Sequence, residues 1–268
     1  MTYATLMVHL QPGRSNAGIL AIARDLAERL HAGIIGIAAC QPMQIVEGDG
    51  YVPADLVQAD RDEIEKEIKT AEMEFRSAFQ TRGAPVEWRS AVMFGSLADY
   101  IAGQARCADL VITSAAWQQA KISDLVMQIG RPVLIVPAAT DTLDLDHVLV
   151  AWKDTRETRR AALDALPLLK RAKRVTLVEI AGEQDFAAGR MHLEDVAKWL
   201  KSHGVSAGVL VSSSTGNDAM RLKAIAQEQG ADLIVAGAYG HSRLREFVLG
   251  GVTHDLLLCA NRCALVSH

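Results

Sequence analysis

Residues 226–239 read AQEQGADLIVAGAY, and residues 103–116 read GQARCADLVITSAA. Each leaves the end of a helix, passes through Ala-Asp-Leu and enters a β-rich run. Internal repetition organises a fold before any local motif does, and the match extends outward from this pair. TLMVHLQPGRSNAGILAIARDLAERLHAGIIGI, starting at Thr5, parallels VLVAWKDTRETRRAALDALPLLKRAKRVTLV, starting at Val148. Each gives a strand, a polar turn, a helix of about four turns, a short turn and a second strand. GRPVLIVP, from Gly130 to Pro137, parallels NRCALVSH, from Asn261 to His268, as a closing strand. The chain therefore reads as two copies of one unit, residues 1–140 and 141–268, joined by PAATDTLDLDH from Pro137 to His147.

Each copy reads coarsely as β-α-β-α-β-α-β. Ile19, Leu20, Ala23, Leu26, Ala27 and Leu30 recur at three- and four-residue steps, which predicts an amphipathic helix. Ile64, Ile68, Ala71, Phe75 and Phe79 do the same within a helix expected from Glu63 to Arg82. The strands LMVHL, GIIGIA, DLVIT and VLIVP are short and branched, as buried parallel strands are. Alternating strands and helices give an α/β fold: two tandem open-sheet domains, each mostly parallel with helices on both faces.

Composition narrows the function. Half the residues are apolar and 22% are charged, which fits a globular protein, and the formal net charge of −4 offers no attraction to nucleic acid. The start MTYATLMVHLQPG lacks the basic region of a signal peptide, and no apolar run reaches the ~18 residues of a membrane span. Cys40, Cys107, Cys259 and Cys263 are too few and scattered for a disulfide framework. Cys259 and Cys263 stand four apart at a predicted helix end, but no partners occur at zinc spacing. A cytoplasmic protein with neither a metal site nor a membrane or nucleic-acid partner is the expectation.

The copies differ at one place. Pro132 lies 23 residues after Asp109, whereas Cys263 lies 31 after Asp232. The extra residues carry glycines at 237, 240, 250 and 251; the first copy has SAAWQQAKISDLVMQIG there instead. In open α/β sheets ligands bind beyond the carboxyl ends of the strands. Gly237 and Gly240 follow the strand LIVA, where glycine permits positive φ and close approach of a ligand. Gly250 and Gly251 precede VTHDLLLCA, a predicted helix whose free N–H groups and dipole would seat an anion. The bland reading, tight turns and a helix start, stays open. The segment is neither a Walker A loop nor a dinucleotide fingerprint.

The spacing Gly237-x2-Gly240-x9-Gly250, with ADLIV before it and VTHDLL after it, resembles the nucleotide loop of the universal stress protein family. The resemblance covers nearly the whole chain as two tandem domains. It implies a five-stranded parallel sheet in each (the adenine-nucleotide alpha hydrolase-like arrangement). It also implies pairing of the two domains through their last strands, with a homodimer as a further arrangement. The ligand it implies is ATP, with or without Mg2+. Carried across, the family's nucleotide-binding positions fall on Ala151, Lys153, Ile180, Ala236, Gly237, Gly240, Gly250, Gly251 and Val252. Two of these depart from the pattern. Gly251 replaces a Ser or Thr whose hydroxyl meets phosphate. Lys153 replaces an Asp that accepts from the adenine amino group, and an ammonium has donors only. Strict adenine selectivity is therefore not expected, while the anion seat is, with Lys153 adding positive charge to it. The first copy has Gln11 at the matching place and no loop, so it is expected to bind no nucleotide.

Other features read two ways. KDTRETRR, Lys153 to Arg160, reaches toward phosphates or forms a helix start with a solvated basic face, Thr155 being its N-cap. SSSTG, Ser212 to Gly216, borders the cleft or is a polar turn. His241 and Ser242, within the glycine loop, touch a terminal phosphate or are simple loop side chains. His254 and Asp255 stand in the first turn of the last helix, where Asp suits the dipole without any function. No catalytic constellation appears. The expected function is a stress-response module regulated by a bound nucleotide. The alternatives are a slow ATPase or phosphoryl or adenylyl transferase in the same cleft, and a ligand-free interaction protein.

Overall fold

A computed structural model describes residues 2–43, 54–80, 83, 85–214, 216–238 and 262–268. The first half runs β1 (Thr5–His9), α1 (Ala17–Leu30), β2 (Gly33–Cys40), α2 (Ala54–Ala78), β3 (Val86–Val92), α3 (Leu97–Gln104), β4 (Leu110–Ser114), α4 (Gln119–Gln128) and β5 (Val133–Val136). The second runs β6 (His147–Trp152), α5 (Arg156–Asp164), α6 (Leu166–Leu169), β7 (Arg174–Ala181), α7 (Phe186–Ser202), β8 (Ala207–Ser213), α8 (Asp218–Glu228), β9 (Leu233–Gly237) and β10 (Cys263–Ser267).

Among the described residues ten strands form one sheet, ordered β3-β2-β1-β4-β5-β10-β9-β6-β7-β8. Read inward from each edge, the two halves carry the same strand order. They meet where β5 and β10 run antiparallel, Leu265 opposite Leu134; the remaining neighbours are parallel. Each half therefore holds five strands, one more than the coarse reading of β-α-β-α-β-α-β. In the first half the extra strand is β3, VEWRSAV, an edge strand whose residues are half-buried or exposed. It lacks the continuous apolar run that marks a strand covered on both faces.

The Ala-Asp-Leu signature has a structural cause. Asp109 accepts from the backbone N–H groups of Ala4 and Thr5, at 2.8 and 3.0 Å. Asp232 accepts in the same way from Asp146, at 2.7 Å, and from His147. Each aspartate ties the start of the fourth strand of its half to the start of the first. Backbone N–H groups at a strand's entrance have no ladder partner there, and a carboxylate supplies one.

Packing fuses the halves further. One apolar cluster covers a whole face of the sheet, from Leu6, Leu26 and Phe75 through Leu134 and Leu265 to Leu177 and Leu193. The connecting segment is polar by composition, yet its Leu143 and Leu145 are buried in that cluster. Burying each contributes about 1.5–3 kcal/mol. Tyr3 donates through its hydroxyl to the Asp164 carbonyl, and Arg171 donates to the Arg29 carbonyl at 2.9 Å. On the opposite face the core divides, α3 and α4 covering the first half and α8 the second.

Two local expectations change. Helix α2 begins at Ala54 rather than Glu63; its first turns, ADLVQADRD, lie largely in solvent and show no buried period that would mark them in the sequence. Cys263 is buried at the start of β10 and not on a helix end; Cys259 lies outside the described residues.

Candidate functional site

Strands β7, β6 and β9 are neighbours and end together at the carboxyl edge of the second half. Ala151 pairs with Ala236 across β6 and β9, and with Val178 across β6 and β7, two residues before Ile180. Ala151, Ile180 and Ala236 belong to one cluster with the α8 residues Leu222, Ile225 and Ala226, so they share the face that α8 covers. Lys153 follows β6 immediately and is exposed. The sequence-assigned positions Ala151, Lys153, Ile180, Ala236 and Gly237 are thus brought together at one sheet edge. Gly240, Gly250, Gly251 and Val252 lie outside the described residues, as do His241, Ser242, His254 and Asp255.

Gly237 differs from expectation in its reason. Its φ is not positive. A Cβ built there would stand 2.5 Å from the backbone N of Thr158, 2.6 Å from the carbonyl carbon of Glu157 and 2.9 Å from the Cα of Thr158. What requires glycine is the first turn of α5 pressing on the end of β9.

That helix start is self-capped. Thr155 is the N-cap, its hydroxyl accepting from the Thr158 N–H at 3.3 Å, as the sequence predicts. Glu157 is buried in the first turn and paired with Arg156. Burial alone would push its carboxyl up, but hydrogen bonds from Arg156, from its own N–H and from Thr155 hold it below the ordinary carboxylate range. Arg159 binds Asp154 at 2.9 Å and Arg160 binds Asp164 at 2.9 Å. The three arginines between Lys153 and Arg160 are therefore each paired with a nearby carboxylate, Glu157, Asp154 or Asp164. In SSSTG, Ser212 and Ser213 close β8 and Ser214 leads into α8. Ser212 accepts from Arg221 at 2.9 Å, Ser214 donates to Asp218 at 2.6 Å, and Asn217 caps α8.

The two halves can be superposed by register, because Leu6 and Val148 occupy the same place in their ladders. His9 then corresponds to Ala151, Thr113 to Ala236 and Gln11 to Lys153. In the first half His9 and Thr113 are 2% and 0% exposed and meet at 3.0 Å. Trp117 lies edge-on to His9, with ring centroids 4.4 Å apart. Burial, with Lys121 adding to it, pushes the His9 imidazole down to about 3, so it is a neutral packing group. The first half fills its strand ends with its own side chains, where the second has methyl groups at both positions. The sequence alignment that sets Gln11 against Lys153 gives the same correspondence; that His9, Thr113 and Trp117 meet is seen only in the fold.

Among the described residues no group of three or more His, Cys, Asp and Glu is arranged to hold a metal ion. No helix among them is long and apolar enough to cross a membrane.

Residues 144–266 match the universal stress protein family. A universal stress protein of known structure from Archaeoglobus fulgidus DSM 4304 is similar in fold, with a TM-score of 0.74 and 15% identity, over 97% of this chain and 97% of its own. A protein from Pseudomonas aeruginosa UCBPP-PA14 described as a universal stress protein is also similar, with a TM-score of 0.67 and 16% identity, over 99% of this chain and 93% of its own. No curated protein matches the sequence.

Proposed function

We propose, from the premise that residues 144–266 form a universal stress protein domain, that the chain is a cytoplasmic stress-response module binding one nucleotide, at the carboxyl edge of its second half. The first half, residues 1–140, is a degenerate copy of the same unit that binds none, and the second half is residues 141–268.

The observation that carries this reading is the asymmetry of the strand ends. Ala151 and Ala236 stand where His9 and Thr113 fill the first half beneath Trp117. The glycines at 237, 240, 250 and 251 follow only the second set of strands. Backbone N–H groups free of side chains suit phosphate oxygens. Lys153, exposed at the lip, adds a point charge that suits phosphate or an acceptor-bearing base better than the adenine amino group. ATP is the ligand to try first, with and without Mg2+.

The alternative reading, a slow ATPase or a phosphoryl or adenylyl transferase in the same cleft, needs in addition a placed metal and a group that orients the nucleophile. Regulation by occupancy is the role that the site suits. Calorimetric titration of the full chain with ATP, GTP and inorganic phosphate tests it. Saturable binding of a nucleotide, lost in Gly240→Val with the fold intact, is the expected result; no binding of any of the three would refute it.

A further inference from the structure

On the opposite face of the same strand ends lies a polar pair that the nucleotide reading does not use. Trp152 and Glu179 are register partners on β6 and β7 and project to the same face. Trp152 is 8% exposed and its Nε1 is buried without a hydrogen-bond partner. Glu179 Oε2 is likewise buried without a partner. Helix α7 lies over the carboxylate. A Cβ built at Gly189 would be 3.3 Å from Glu179 Cδ and 3.4 and 3.6 Å from its two oxygens. At the equivalent positions the first half has Leu10 and Ala38, both buried and apolar. An acidic group has therefore been placed under a helix where the companion unit has a methyl.

We propose that Glu179 is a proton-operated latch for helix α7. The neutral acid lets the first half of the helix, residues 186–193, seat on β7 and β8; loss of the proton lifts it. A neutral carboxyl is tolerated beneath Gly189, whereas a carboxylate with an unpartnered oxygen must be solvated. Glu179 as a residue is half-buried, but Oε2 itself is closed to solvent beside Gly189, and water reaches that oxygen when the helix draws back. The surrounding charges are mixed. His192 on α7 and Asp185 just before it act from one side, and Lys153 and Asp154 from the turn after β6. Strand β8, AGVLVSS, has no charged residue. Arg190 is engaged by Glu194 at 3.0 Å. Burial is the largest influence on the carboxyl and raises it; His192 and Lys153 oppose that effect and Asp154 and Asp185 reinforce it, leaving it above the ordinary range.

Hydrogen exchange of the full chain at pH 5 and pH 8, corrected for intrinsic exchange rates and referenced to α1, tests this. In the wild type, protection of residues 186–193 falls relative to α1 by roughly threefold for one pH unit of added proton affinity, because pH 5 already lies above the ordinary carboxyl value. In Glu179→Gln the relative protection is the same at both pH values. Glu179→Ala, which installs the residue of the first half, is equally flat and covers the case in which the amide packs poorly. A wild type with no relative change, or either variant retaining it, overturns the latch.

Discussion

At the scale of single residues, the second half is defined as much by absent side chains as by present ones. Gly237 admits the first turn of α5 against β9, so Gly237→Ala should cost about 1–3 kcal/mol through overpacking, read as a lower urea midpoint with an unchanged slope. Glu157 carries the opposite lesson, a buried carboxylate held ionised by its donors. Its folded-state affinity for a proton is below that of the unfolded chain. Its contribution is therefore full above the ordinary carboxylate range and is lost as pH falls through the lowered value. Glu157→Gln should be less stable than the wild type at pH 7, and the gap should close in acid below that range; a gap independent of pH would contradict this. The glycine spacing and the Thr155 cap were legible in the sequence because they depend on neighbours along the chain. The pairing of His9 with Thr113, and of Trp152 with Glu179, was not, since each joins residues on different strands.

At the scale of elements, strands covered on both faces declare themselves, and edges do not. LMVHL, GIIGIA, DLVIT and VLIVP are largely apolar because both sides of each are covered by helices, and the polar His9 and Thr113 within them are buried against each other. VEWRSAV mixes Glu87 and Arg89 with Trp88 and Val92, as suits the rim of a sheet. The same logic hid the first turns of α2, which face solvent. Helix α5 is short, and its start rests on one hydroxyl and one carboxylate. Thr155→Ala should cost about 1 kcal/mol, with the loss appearing in the thermal midpoint and not in the strand content seen by circular dichroism. A neutral result would mean that Glu157 satisfies the helix start alone.

At the scale of the whole molecule, the repeat found in the sequence becomes a single sheet with a seam in its middle. The continuous apolar cluster and the buried Leu143 and Leu145 bind the halves into one cooperative unit. Unfolding followed by tryptophan fluorescence and by backbone circular dichroism should give one coincident transition; two separated midpoints would show that the seam is weaker than its packing suggests. Within that frame the strand ends of the first half are closed by its own side chains, and those of the second are the ones proposed to take a ligand. Equilibrium dialysis against labelled ATP tests this division most directly, using the wild type and a chain carrying Ala151→His with Ala236→Thr, which transplants the filling of the first half. One nucleotide per wild-type chain and none in the double variant is the predicted outcome. Two per chain, none in the wild type, or undiminished binding in the variant would contradict it.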